Sequence, residues 1–140
     1  MHHTQSNLIE IQDKIKTKIE KLPETDYKPK IIAVSKTFQK PDILPLLDFG
    51  HLDFGENKVQ EAKDKWIELK KKYEKINLHM LGKLQTNKVK NAVDIFDYIH
   101  SLDSLKLANK LANAIHTNEK KIKIFIQINL GNEIQKSGIN

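Results

Sequence analysis

Cysteine and arginine are both missing from these 140 residues. The first absence excludes disulfides, thiolate chemistry and cysteine-based zinc sites. The second leaves lysine to supply all 24 basic side chains, against 18 acidic ones, for a formal net charge of +6. Arginine provides the bidentate forks that read guanine and grip phosphate, so its absence weakens the case for nucleic-acid binding. The densest basic run, Lys70-Lys71-Lys72, falls on a predicted helix and reads as a solvated face. Heavy use of Lys, Asn and Ile points to AT-rich codons instead. No apolar run approaches the ~20 residues of a membrane-spanning helix. The start "MHHTQSNLIEIQDK" lacks the charged opening and apolar segment of a secretion signal, so a cytoplasmic protein is expected. No metal site is expected either: His2 and His3 are terminal, and the other four histidines lack zinc-binding spacing.

What is present suits one domain with a real core, since 39% of the residues are hydrophobic. Leu8, Ile11, Ile15, Ile19 and Leu22 recur at helical spacing and predict a helix over 7–22, capped by Ser6 or Asn7. "LPETDYKPK" then breaks the pattern with two prolines. Beyond it, strands are predicted at Ile31–Ser35, Leu52–Gly55, Asn77–Leu81, Tyr98–Leu102 and Lys121–Asn129. Between them lie helical stripes: Val59, Ala62, Trp66, Leu69 and Tyr73; Val89, Val93 and Phe96; and Ala108, Leu111, Ala112 and Ile115 after the N-cap pair Asp103-Ser104. "PDILPLLDFG" is the weakest helix, because Pro41 suits a first turn but Pro45 should distort it.

Alternating strands and helices imply crossovers and a parallel sheet. The strand ends fall near residues 36, 56, 82, 102 and 129, a repeat of roughly 20–27 residues that suits a (β/α)-barrel. Eight such units need about 200 residues or more, and five fit here. The alternatives are a small open α/β sheet and the first part of a barrel that continues beyond Asn140; the chain's stop directly after a strand favours the second. Five units alone would expose two sheet edges and be poorly stable.

In parallel α/β folds, functional residues gather at the carboxyl ends of strands. Here those ends carry small and polar residues, and Gly55, Gly82 and Gly131 sit at or just past them. Lys36 ends the apolar run Ile31-Ile32-Ala33-Val34-Ser35, and strand alternation puts it on the face of Ile32 and Val34. If that face is the barrel interior, its stem is buried and its amine emerges at the rim. A desolvated lysine is readily neutral, and a neutral amine attacks an aldehyde to give a Schiff base. The alternative is a lysine snorkelling to solvent.

"IIAVSKT", "FGENKVQEA", "LHMLGKLQTNKVK", "IHSLDS" and "IFIQINLGNEIQKSGI" occur in register from Ile31 to the end. Together they resemble the pyridoxal phosphate homeostasis protein family, single-domain relatives of the N-terminal barrel of bacterial alanine racemase. The resemblance implies a (β/α)8 TIM-barrel type of fold with about the first five units present: residues 1–29 as helix and linker, 30–140 as the units. It implies pyridoxal 5′-phosphate as cofactor, carried by Lys36 as an internal aldimine, with Asn57 beside the ring. His79, Met80, Gly82 and Asn129 are further cofactor-site candidates, each with a structural alternative: a hydrogen-bonded core histidine for His79, a satisfied amide for Asn129. Lys136 matches a second family lysine that could hold an aldehyde or anion, or be surface lysine. Ser35 and Thr37 flank Lys36 in positioning or capping roles, and Glu56 reads as an ion-pair or helix-start residue. Members of the family run three units further, where most of the phosphate cradle and an arginine facing the pyridine nitrogen lie.

Three functions follow. The first is a non-catalytic pyridoxal phosphate binder serving vitamin B6 and amino-acid homeostasis, with PLP-dependent apo-enzymes as partners and a monomeric intact protein, touching neither nucleic acid nor membrane. The second is a racemase or decarboxylase of the same barrel type, which needs a base on each face of the cofactor; no second base can be identified in the sequence. The third is a lysine-rich module for acidic partners, with salt-dependent binding and no special need for Lys36.

Overall fold

The computed structural model describes residues 1–24 and 26–140. Thr25, in the expected linker, lies outside the described residues. The chain divides into two compact units, residues 1–31 with 38–52, and residues 32–37 with 53–140.

The first unit is a pair of helices, α1 (His3–Ile19) and α2 (Lys40–Asp48). Helix α1 begins four residues before the expected start, because His2 rather than Ser6 or Asn7 caps it. The His2 ring accepts from Thr4 N–H at 3.3 Å, and Gln5 Oε1 accepts the His2 N–H, a reciprocal box that satisfies two backbone donors at the helix end. Helix α2 survives Pro45. Its Ile43, Leu46 and Leu47 are buried, and Gln5 Nε2 donates to the Pro45 carbonyl at 2.8 Å. Burial at ~1.5–3 kcal/mol per side chain outweighs one lost backbone bond.

The second unit is a parallel sheet of β1 (Ala33–Val34), β2 (Asp53–Glu56), β3 (Asn77–Met80), β4 (Tyr98–Leu102) and β5 (Lys123–Ile126), in the order β1-β2-β3-β4-β5. Helices α3 (Val59–Lys72), α4 (Val89–Ile95) and α5 (Leu105–Thr117) connect them, α4 after a 3₁₀ turn at Thr86–Lys88. Unbroken sequential order means that every crossover advances in the same direction. One-handed crossovers then put α3, α4 and α5 on one face, the arrangement of a barrel wall and not of a doubly wound sheet. The five expected strands are all present. The first and the last are shorter than expected, and past the last an isolated bridge pairs Ile128 with Ile139.

Register and alternation sort the side chains. Phe54, Glu56, Leu78, Met80, Ile99 and Ser101 point to the helices and are all buried. Trp66 of α3 meets Phe54 at 4.8 Å between ring centroids. On the opposite face lie Val34, Asp53, Gly55, His79, Tyr98, His100 and Phe125. Ser104 caps α5 as expected, accepting the Leu107 N–H. The lysine run at the end of α3 is not uniformly solvated: Lys70 donates to Asp97 at 2.6 Å and to the Ile95 carbonyl, while Lys71 pairs at the surface with Glu68.

Candidate functional site

Lys36 lies two residues past β1, in a turn, and its side chain is exposed. The expected burial of its stem is not realised, because β1 ends at Val34, which is itself 46% exposed. Among the described residues no carboxylate pairs with its ammonium. The residues on either side are held far more tightly. Ser35 is buried, with its N–H donating to the Gly55 carbonyl at 2.9 Å and its hydroxyl to Glu56 Oε1 at 2.7 Å. The Ser35 carbonyl accepts from Lys65 Nζ at 2.7 Å. Thr37 takes a left-handed backbone, φ 67°, and its N–H donates to Glu61 Oε1 at 2.5 Å.

These partners converge on Glu56, whose side chain is fully buried. Its Oε1 accepts from Ser35, from Lys65 Nζ at 2.8 Å and from Trp66 Nε1 at 2.9 Å. Its Oε2 has no hydrogen-bond partner among the described residues. Lys65 is buried too, and also reaches Glu61 at 3.1 Å. Burial raises the Glu61 pKa, but the Thr37 N–H and the Lys65 ammonium outweigh it and hold the carboxyl below its usual value. The ion-pair reading of Glu56 is therefore the one realised. Lys65 escaped the sequence reading, although it falls on the Ala62–Leu69 stripe, where a lysine needs a buried partner.

The other candidates fall into three separate groups. Asn57 and Met80 share a cleft of about 350 Å³ with Lys58, Lys83, Gln85 and Lys88 at the carboxyl ends of β2 and β3; its lining does not include Lys36. Gly82 belongs with them, because a Cβ there would strike the Asn57 carbonyl oxygen and lie 2.9 Å from its Cα. His79 is on the opposite face, as alternation from Met80 required. It bonds Asp53 Oδ1 at 3.0 Å and the His100 ring at 2.9 Å, and stacks on Tyr98 with centroids 4.2 Å apart. His100 in turn stacks on Phe125. Burial, and then the neighbouring His79, lower the His100 pKa. The signal for this cluster was available: Asp53, His79 and His100 are inward positions of three successive strands.

Asn129 and Lys136 form the third group, in the segment after β5. The Asn129 amide is satisfied locally, donating to the Glu133 carbonyl at 2.9 Å and accepting the Glu133 N–H. Lys136 pairs at the surface with the Glu133 carboxylate at 2.9 Å.

A family model described as "Alanine racemase, N-terminal domain" matches residues 7–140. The chain belongs to that family. Among curated relatives, the pyridoxal phosphate homeostasis protein of Pasteurella multocida is 35% identical over 135 residues, covering 96% of this chain and 58% of the relative. That of Haemophilus influenzae is 36% identical, covering 96% and 57%. PipY of Synechococcus elongatus, solved without PLP, superposes with a TM-score of 0.77 at 35% identity, covering 91% of this chain and 58% of PipY. A second PipY structure, with PLP bound, gives 0.74 at 34% identity. The alanine racemase N-terminal chain described here thus spans under three-fifths of the length of these relatives. The five-motif resemblance and the five-unit α/β barrel wall are both borne out. Among the described residues no helix is long and apolar enough to cross a membrane.

Proposed function

We propose that this chain is part of a pyridoxal 5′-phosphate carrier that holds the cofactor on Lys36 without turning over a substrate. The observation that carries the reading is Lys36 itself: an exposed amine without a carboxylate partner among the described residues, just past the carboxyl end of the first strand, in a family with a PLP-bound relative. The cofactor would supply an aldehyde, whose carbon forms a C=N bond to the Lys36 nitrogen as its oxygen leaves as water. The residues here fit that end of the molecule. Lys36 offers the nucleophile, and its solvent access lets the carbonyl reach it. Gly55, the partner of Val34 on the next strand, is already crowded: a Cβ there would run into Leu81 and Ile32. Asn57, half-buried at the end of the next strand, is the candidate for a neutral hydrogen-bonding group near the ring. His79, Met80, Gly82 and Asn129 act at one remove in this reading, shaping the strand ends, and Lys136 is a surface residue.

In this reading the intact protein works in the cytoplasm as a monomer, delivers its cofactor to PLP-dependent apo-enzymes, and sustains vitamin B6 and amino-acid balance. The racemase alternative draws on the family's description alone. Adding pyridoxal phosphate should produce a yellow, borohydride-reducible adduct that Lys36→Ala abolishes and Lys40→Ala leaves intact. An adduct that persists in Lys36→Ala would overturn the assignment, and turnover of alanine by the loaded protein would move the reading to an enzyme.

A further inference from the structure

The motif "FGENKVQEA" contributes more than Asn57. We propose that Glu61 and Lys65, one turn apart on α3, are positioning residues for Lys36, an inference that rests on the carrier reading above. They grip the two peptide units that flank it. Lys65 Nζ binds the Ser35 carbonyl at 2.7 Å, and Glu61 Oε1 accepts the Thr37 N–H at 2.5 Å. The two side chains also bind each other at 3.1 Å, so the grips are mechanically one.

The backbone between the grips needs holding. Thr37 is β-branched and sits at φ 67°, a region that such residues rarely enter and that persists only when the surroundings impose it. The left-handed Thr37 completes the turn that follows β1, directly after Lys36. If Thr37 relaxed to an extended backbone, that turn would open and the peptide on the carboxyl side of Lys36 would lose its fixed position. The charge-assisted bond that the Thr37 N–H donates to the Glu61 carboxylate is what opposes this relaxation. Lys65 cannot drift, because buried Glu56 neutralises it at 2.8 Å and is itself held by Ser35 and Trp66. The sheet core thus anchors a rigid clamp, and the clamp fixes where an otherwise unconstrained, exposed amine begins. Geometry within a fraction of an ångström governs whether a reacting pair meets productively.

The test uses the intact protein with pyridoxal phosphate as probe, and compares wild type, Glu61→Ala and Glu61→Gln. Glu61 is partly exposed, so its removal spares the core. Three quantities are read: affinity from the adduct absorbance, borohydride labelling mapped to Lys36, and hydrogen exchange of the Thr37 amide without cofactor. Glu61→Ala should weaken adduct formation about tenfold and expose the Thr37 amide, with only a small drop in the unfolding midpoint from the lost Lys65 contact. Glu61→Gln, which keeps an acceptor oxygen, should recover most of both. Wild-type affinity in Glu61→Ala, with labelling still on Lys36, overturns the clamp but leaves the carrier reading standing. Loss of affinity that tracks a lowered midpoint, without rescue by Glu61→Gln, makes the role merely structural and overturns it too. A wild type that takes no label at Lys36 overturns the carrier reading, and the clamp with it.

Discussion

Polar side chains occupy both faces of the sheet, under opposite conditions. On the helix-covered face, Glu56 and Lys65 are sealed among Phe54, Trp66 and the aliphatics, and every proton of the Lys65 ammonium has a protein acceptor: Ser35 O, Glu56 and Glu61. On the other face, Asp53, His79 and His100 form a chain between Tyr98 and Phe125, the latter 50% exposed. Groups on the first face have no water to fall back on, while those at the margins of the second do. The same kind of hydrogen bond should therefore matter unequally. Polarity on a sheet becomes structural where it is enclosed and adjustable where it is not.

The largest effect should come from breaking the enclosed side. Glu56→Ala leaves the Lys65 charge buried without its main counterion, and should cost about 3–5 kcal/mol of unfolding free energy in equilibrium denaturation. A loss under about 1 kcal/mol would mean that water reaches the network, and the contrast between the faces would fail. A smaller loss, about 1 kcal/mol, is expected for His79→Phe, which keeps the stacked ring and drops two hydrogen bonds whose partners stand nearer solvent. Equal costs for the two variants would remove the distinction.

The smallest effect is a pH slope on the open side. Because burial and His79 depress the native His100 pKa below the ordinary 6.5, the unfolded chain binds that proton more readily. Stability should then be flat above pH 6.5 and fall as the pH drops from there toward the lower native value. His100→Asn should flatten this component, as read from denaturation midpoints at several pH values. His79, Tyr98 and Phe125 are the rings packed against His100, and a slope that survives the substitution belongs to a group other than His100.

Much of the fold was legible because its signals are local. Apolar runs gave all five strands, stripes such as Val59-Ala62-Trp66-Leu69 gave the helices, and Ser104 marked a helix start. Alternation along "NLHML" correctly separated His79 from Met80. Errors came where a contact distant in sequence decided the outcome. Pro45 looked disruptive from its neighbours, but buried Ile43, Leu46 and Leu47 hold its helix. One error was local: the cap of α1 was misplaced because a histidine ring, outside the usual capping residues, accepts the N–H. The site was legible only in part because its bonds join residues distant in sequence. Lys36 stood out as a charge closing an apolar run, whereas Lys65, one of many lysines, gave no hint of its bond to a carbonyl thirty positions back.

The sequence by itself determined that strands and helices alternate, which side chains share a strand face, and which lysine ends the first strand. Those properties depend on short-range periodicity and on residue chemistry. Only the tertiary structure decided that Lys36 stays exposed while the peptides beside it are clamped. Parallel strands bring Ser35, Glu56 and α3 together across gaps of about twenty to thirty residues, and a buried charge reveals its partner only when both have left water.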